Sequence, residues 1–393
     1  MTNDLTAFTP EYWSRRTQIL LRKMLVGRKI ASFEERPTLR NGDVVHRPYH
    51  NDPYVVDYTK GTDITIQDID TTDEYLTVNQ SKVVPVYVDE VDRIQNKYDT
   101  ANKLIDRSAH MLGRDIDSAV LAQVTNAVLD IDAGDVGGSA GSPITLSTSN
   151  AVNTFSSAYA ELASNNVESD KSWFLVVDPK MANIITQTYI SSGFQTADLS
   201  LRNGFLGDWL GFQLYQSNSL KSSASVGIAT NPTANDTVSI NGVTFKFVAS
   251  PSAAGDVDIG ANAAGSVDNL VAAINGGTGA GTAYIALSQA DRAKLKNNQV
   301  VATDNTTSIA VTAAGRMILA ETFTDGTDAW GTQTVYSIAG KTGSIDLVVQ
   351  SEPKLHIKDE PKKLGKNYFS HTLYGVKTFN EGTERICEIN IAA

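Results

Sequence analysis

A single cysteine, Cys387, in 393 residues leaves no partner for an internal disulfide and suits a reducing compartment. Its apolar neighbours make it a core thiol rather than a nucleophile. Long hydrophobic runs are missing too. No stretch approaches the ~18 apolar residues that a membrane span requires. Near the N-terminus Arg22 and Lys23 interrupt Ile19, Leu20 and Leu21, so no signal peptide is read there. Basic charge is scarce: 33 Lys and Arg against 44 Asp and Glu give a net charge of −11. That balance argues against gripping nucleic acid by neutralising many phosphates, and it does not argue against a wall placed around nucleic acid.

Recognisable reaction chemistry is equally scarce, and no enzyme activity and no cofactor are expected. Gly340-Lys341-Thr342 has the ending of a phosphate loop, but the glycine required five residues before Gly340 is Val335, so a loop between strands is expected there. His46 and His50 stand four apart in a strand-and-turn region, without the shared face that a helix would give them, while His110, His356 and His371 are isolated. No zinc site is expected from such a distribution. Asp68, Asp70 and Asp73, like Asp130, Asp132 and Asp135, resemble the start of a calcium loop but lack the closing glutamate, so both groups read as solvated turn carboxylates. No serine sits in a Gly-x-Ser-x-Gly elbow.

What is there is a chain long enough for two or three domains, with ordinary proportions of apolar (41%) and charged (20%) residues. Residues 1–35 read as an arm whose segment from Glu11 to Ile30 suits a short amphipathic helix with a basic face. Two uses of it stay open: docking on a neighbour or packing on its own domain. Residues 37–88 alternate strand-like runs with turns such as Asn41-Gly42-Asp43 and Lys60-Gly61-Thr62. Arms of about 15 residues would reach ~50 Å, well beyond a compact body of ~21 Å radius of gyration. A projecting ribbon of that kind needs a second molecule to lie on. From Val91 to Val128 apolar residues recur every three or four positions behind Asp89 as a cap. Because that helix would be unusually long, a break near Lys97 or Gly113 is expected.

Thr148 to Asn165 reads as another helix. Trp173-Phe174-Leu175-Val176-Val177-Asp178-Pro179 reads as a buried strand feeding a helix, with Asp178 as its cap and Pro179 as its first residue. Residues 222–330 are rich in Ala, Gly, Ser, Thr, Asn and Asp. Within them, 237–248 form a hairpin around Asn241-Gly242, 266–274 a short helix capped by Ser266, and 308–312 a strand. Strand-like runs resume at Gly343 and close with Ile386 to Ile391.

The Trp173–Pro179 stretch, followed by the glycine-punctuated turn from Gly204 to Gly211 and the alternating Phe212-Gln213-Leu214-Tyr215, resembles the axial domain of tailed double-stranded DNA phage major capsid proteins. Over about 1–220 and 335–393 the order of elements is similar to that family. The resemblance implies an α+β phage coat fold with an N-terminal arm (1–35) and an extended β-loop (36–80). A peripheral domain with a long spine helix (81–145 and 353–393) and an axial domain (146–222 and 335–352) complete it. Residues 223–334 would be a β-rich insertion domain facing outward.

The same resemblance implies many copies of the chain forming hexamers and pentamers of an icosahedral head in the host bacterial cytoplasm. That head would enclose double-stranded DNA without sequence-specific or membrane contacts. Because the sequence starts directly with the arm, a separate scaffolding protein is expected, together with a portal. Some shells of this family crosslink a loop lysine to a neighbour's asparagine; Lys60 and Asn380-Glu381 would carry that chemistry here, and it is not expected, since most members lack it. Rival readings are an encapsulin-type compartment and a β-rich extracellular adhesin or carbohydrate-active protein.

Overall fold

The computed structural model describes residues 25–34, 42–95, 100–191, 208–326, 328–359 and 364–393. Most of the expected N-terminal helix, Lys97, the Gly204–Gly207 turn, Lys362 and Lys363 lie outside these residues. Within the described part of the arm, α1 (Gly27–Ile30) makes one helical turn against the long helix. Strands β1 (Val44–His50) and β2 (Thr71–Thr77) pair antiparallel, with Val44 opposite Thr77 and His50 opposite Thr71. The paired arms are therefore seven residues long, not about fifteen. Val55-Val56 and Ile64-Thr65-Ile66, which lie among the strand-like runs expected over 37–88, belong to no strand. β-branching favours a strand only where a partner completes the ladder.

Strand β3 (Gln80–Asp89) leads into α2 (Glu90–Gln95), and the Asp89 carboxylate accepts the Val91 amide at 2.9 Å as its cap. Helix α3 (Thr100–Leu121) then runs unbroken through Gly113. The expected kink is absent there because Gly113 serves packing: a Cβ would lie 3.1 Å from Leu25 Cδ1 of the arm. Its apolar stripe, Leu112, Ile116 and Val120, is almost fully buried.

Strand β4 (Leu129–Ile131) and helix α4 (Ala151–Ser164) precede β5 (Trp173–Val177), whose five apolar residues are all buried. Helix α5 (Pro179–Ser191) starts where expected, with the Asp178 carboxylate accepting the Met181 amide at 2.7 Å. Strands β6 (Asp208–Trp209) and β7 (Phe212–Gln216) turn on Leu210-Gly211, both in the left-handed region. Phe155 of α4 packs edge-on to Trp209 at 5.2 Å, and Tyr159 lies 4.9 Å from Trp173.

Strand β8 (Lys221–Gly227) opens the Ala-, Gly- and Ser-rich region, followed by β9 (Thr237–Ile240), β10 (Val243–Val248) and β11 (Asp256–Asp258). The β9–β10 hairpin turns on Asn241 and Gly242 at φ 53° and 73°, the mirror-image turn that Asn-Gly favours. Helix α6 (Ala263–Asn275) is capped by Asn262, whose side chain accepts the Gly265 amide. Ser266, expected as that cap, is instead buried inside the helix and donates to Asn231 Oδ1 at 2.6 Å. Helix α7 (Gln289–Asn297) and strands β12 (Val301–Asp304), β13 (Ser308–Ala314) and β14 (Leu319–Glu321) complete the region. It encloses its own core around Phe245, Phe247, Val257, Leu270, Ile309 and Val311.

Strand β15 (Thr334–Lys341) starts nine residues before Gly343, where strand was expected to resume, and Gly343 instead sits in the turn that follows at φ 90°. Gly340-Lys341 is thus the end of a strand rather than part of a loop. Strands β16 (Asp346–Asp359) and β17 (Gly365–Lys377) form a long hairpin on β3, and α8 (Asn380–Thr383) and β18 (Ile386–Ala392) end the chain. Strand β15 pairs with β18, β5 and β8, and β8 continues through β13 to β12. One sheet therefore runs from β5, β15 and β18 into the Ala-rich region. Cys387 is buried in β18 as expected of a core thiol.

Candidate functional site

The β1–β2 ribbon is anchored at its base and bare at its end. Val45, Leu76 and Val78 are buried with Val348 of β16 and Phe379. Arg47, beside them in β1, holds the base through three contacts. It pairs with Glu381 at 2.8 Å and Asp346 at 3.4 Å, and its guanidinium lies 5.1 Å from the Phe379 ring. The Glu74 carboxylate of β2 accepts the Asn380 amide at 2.8 Å, and His46 pairs with Asp73 at 2.7 Å. The Arg47 and Glu74 contacts fix how the ribbon leaves the body, and the His46–Asp73 pair joins its two strands.

Past His50 the anchoring stops. Tyr54, Val55, Val56, Tyr58, Ile64, Ile66 and Ile69 are all exposed, Val55 at 97% and Ile66 at 89%. The two limbs are tied by the Asn51 amide, which donates to the Asp70 carbonyl at 3.3 Å, and by Gln67, whose side-chain amide exchanges hydrogen bonds with the Tyr54 backbone. Each such side chain would contribute roughly 1.5–3 kcal/mol if buried, and apolar patches of this extent mark interaction sites. Residues 51–70 also carry five aspartates and one lysine. The tip is apolar and acidic.

A second anchored element is the arm. The Val26 and Gly27 amides both donate to Asp117 Oδ1 of α3 at 2.6 Å. The open backbone end of α1 is thereby held by a buried carboxylate.

The candidate chemistry is dispersed. His46 and His50 do share one face of β1, contrary to the reading of a mixed strand and turn, but four residues of strand separate them by about 13 Å. Lys60 lies in an exposed turn at the loop tip, whereas Glu381 is engaged by Arg47 at the loop base. Asp132 and Asp135 cap a short 3-10 turn, Ala133–Val136, rather than forming a calcium ladder. His371 approaches Ser81 Oγ at 3.1 Å, and His356 is exposed on β16. Among the described residues no three His, Cys, Asp or Glu side chains are grouped to hold a metal ion, and no helix is long and apolar enough to cross a membrane. Burial pushes the Cys387 thiol well above the usual range, so it stays protonated. Sequence reasoning did not single out Arg47, whose partner Asp346 lies 299 residues away.

No protein-family model and no curated protein matches the sequence. Solved structures do. A structure from Mycobacterium phage Che8 is similar with a TM-score of 0.58 and 16% identity, over 97% of this chain and 96% of that one. The capsid structure of cyanophage P-SCSP1u is similar at 0.55 and 14%, over 99% and 94%. The mature capsid of bacteriophage PhiM1 follows at 0.51 and 12%, over 98% and 92%. At these identities the likeness is one of fold. This chain has the α+β fold seen in phage capsids, the fold that the resemblance to tailed-phage coat proteins implied.

Proposed function

We propose that this chain is a major capsid protein, a structural rather than catalytic molecule. Many copies assemble as hexamers and pentamers into an icosahedral phage head around double-stranded DNA. The observation that carries this reading is the bare apolar tip of a ribbon whose base is firmly held, on a fold shared with phage capsids. A surface that exposed is stabilised only by a second molecule. When each copy reaches several neighbours, modest contacts combine into a shell that outlasts any one of them.

In this reading residues 1–35 are the arm and 36–80 the extended loop. Residues 81–145 with 353–393 form the peripheral domain, and 146–222 with 335–352 form the axial domain. The separate core around Phe245 and Leu270 supports treating 223–334 as an inserted domain on the outer surface. The head assembles in the host bacterial cytoplasm with a separate scaffolding protein and a portal. The net charge of −11 suits a container that does not adhere to its genome.

Electron microscopy of the expressed chain, alone and with candidate scaffolding proteins, tests the proposal. Closed icosahedral particles are expected. A chain that stays monomeric at every concentration overturns it, and closed particles that carry enzymes in place of DNA point to a compartment shell.

A further inference from the structure

Besides the β8–β15 pairing through which it enters and leaves the body, the Ala-rich region holds on to two distant elements. Gln299, just past α7, donates from Nε2 to Asp115 Oδ1 of α3 at 2.7 Å. Arg316, just past β13, donates from Nε and Nη2 to Asp178 Oδ2 at the start of α5, at 2.8 and 2.7 Å. The two grips are joined firmly inside the region. The Asn298 carbonyl accepts the Ala314 amide at 2.8 Å, and the flanking Leu295, Val300, Ala313 and Met317 are buried in one core. Gln299 sits at φ 49°, left-handed backbone that a glutamine rarely adopts. Such a conformation persists where its surroundings over-determine it, and here the side chain it carries ends on Asp115.

The receiving carboxylate stands at a border. The main core takes in α3 from Ile116 onward, with Val120 and Leu121, and Asp115 comes just before it. Asp115 Oδ2 accepts the Tyr374 hydroxyl of β17 at 2.6 Å, so one side chain joins α3, the β16–β17 hairpin and the Ala-rich region. Burial, aided by Asp115, pushes that hydroxyl far above its usual range and keeps it a donor. Around this junction the packing is open. A cleft of about 530 Å3 is lined by Val84 of β3, by Leu112 and Arg114 of α3 and by Lys296 of α7. A gap of that size leaves the two sides room to move, so the Gln299 bond, not close packing, sets their spacing.

We propose that the Ala-rich region is an internal brace. It spans from Asp115 to Asp178 and fixes the angle at which α3 and the β3–β17–β16 sheet leave the body around β5 and α5. Gln299 and Arg316 are its positioning residues. The inference goes beyond the assembly reading, because it assigns the region a task inside one copy. A brace acts only while both ends are held, so releasing either end frees the same motion.

The distance between two spin labels on the full-length chain tests it. The labels sit on Ala109→Cys of α3 and Lys180→Cys of α5, both exposed, while the native Cys387 is buried and takes none. Dilution with unlabelled chain removes distances between copies. A narrow distribution is expected, and Gln299→Ala is expected to double its width or more. Arg316→Gln should widen it similarly, and the two together no further than either alone. Asp115→Asn, which keeps an oxygen for Gln299, should leave it narrow. An unchanged width in Gln299→Ala overturns the brace. So does a double variant whose widening is the sum of the two, because independent contacts add. Gln299→Ala leaves the Arg316 pair intact and decides the question by itself if Arg316→Gln does not fold. All of these readouts come from within one copy, so the capsid reading stands or falls separately, on the particles seen by electron microscopy.

Discussion

The Arg316 guanidinium meets the Asp178 carboxylate at 2.7 Å, joining residues 138 apart in sequence between the Ala-rich region and the start of α5. Asp178 serves two elements at once: one oxygen caps α5 and the other receives Arg316. Both side chains are largely buried, at 7% and 18% exposure. Removing one charge from such a pair strands the other in a low-dielectric site. Asp178→Ala is expected to lower stability by about 3–5 kcal/mol, with the lost cap included. Asp178→Asn, which keeps a capping oxygen, should lose less. Urea unfolding of the unassembled chain measures both.

The acid range has a specific contributor at the entry to β5. The Ser172 hydroxyl and amide, with Lys341 at 3.3 Å, hold Asp170 down at about 2. Its folded pKa thus lies below the ordinary ~3.9 of an aspartate. The stabilisation from this carboxylate is complete above the ordinary value and disappears as pH falls through about 2. A carbon-13 NMR titration should place the Asp170 midpoint near 2, and Ser172→Ala should move it up toward the ordinary range. Because the group is exposed, added salt weakens the Lys341 contribution and leaves the Ser172 hydrogen bonds in place.

Cys387 should be silent. It is fully buried in β18, and burial pushes its thiol far above physiological pH, so almost no thiolate forms. Alkylating reagents are expected to leave the folded chain unmodified and to label it once denatured. Mass spectrometry under both conditions checks this, and rapid labelling of folded protein would contradict the burial of β18.

These residues show what a sequence reveals and where it falls silent. The Trp173–Val177 strand and the Asp178-Pro179 helix start were legible because five consecutive apolar residues and a cap act locally. The Asn241-Gly242 hairpin was legible for the same reason. Arg316 and Arg47 were not, since their partners come from distant segments and arginines on strands and turns are ordinary. Ser266 was misread as a cap because Asn262, a better acceptor, stands four residues earlier beyond a run of small residues that hides the helix start. Gly113 looked like a break, and only the approach of Leu25 from the arm shows why it sits inside a continuous helix. In the loop, β-branched residues at 55–56 and 64–66 imitate strands, yet strand formation needs a ladder partner that a single copy does not provide.

Arg47 concentrates the anchoring of that loop. Its contacts with Glu381 and the Phe379 ring come from the segment of α8 and that with Asp346 from β16, so Arg47→Ala releases all of them together. Part-exposed pairs and cation–π contacts are each worth about 0.5–1 kcal/mol, and a stability loss of about 1–2 kcal/mol follows. The sharper readout is local. Hydrogen exchange should accelerate at the β1 and β2 amides while β5, β15 and β18 keep their protection. A uniform change across the chain would mean that Arg47 supports the core instead of the ribbon base.

The loop tip separates folding from assembly. Val55 and Ile66 are nearly fully exposed and belong to no strand, so replacing them removes no contact within one molecule. Val55→Asp with Ile66→Asp is expected to change unfolding free energy by no more than about 0.5 kcal/mol per site. The same change adds two charges to a tip already carrying five aspartates, and burying a charge against a neighbour's apolar surface is strongly unfavourable. Particle formation should therefore fail while the isolated chain unfolds as before, a split that sedimentation velocity and denaturant titration resolve side by side. If the doubly substituted chain assembles normally, the tip lies outside the contacts between copies and the reading of the ribbon as an assembly element is wrong.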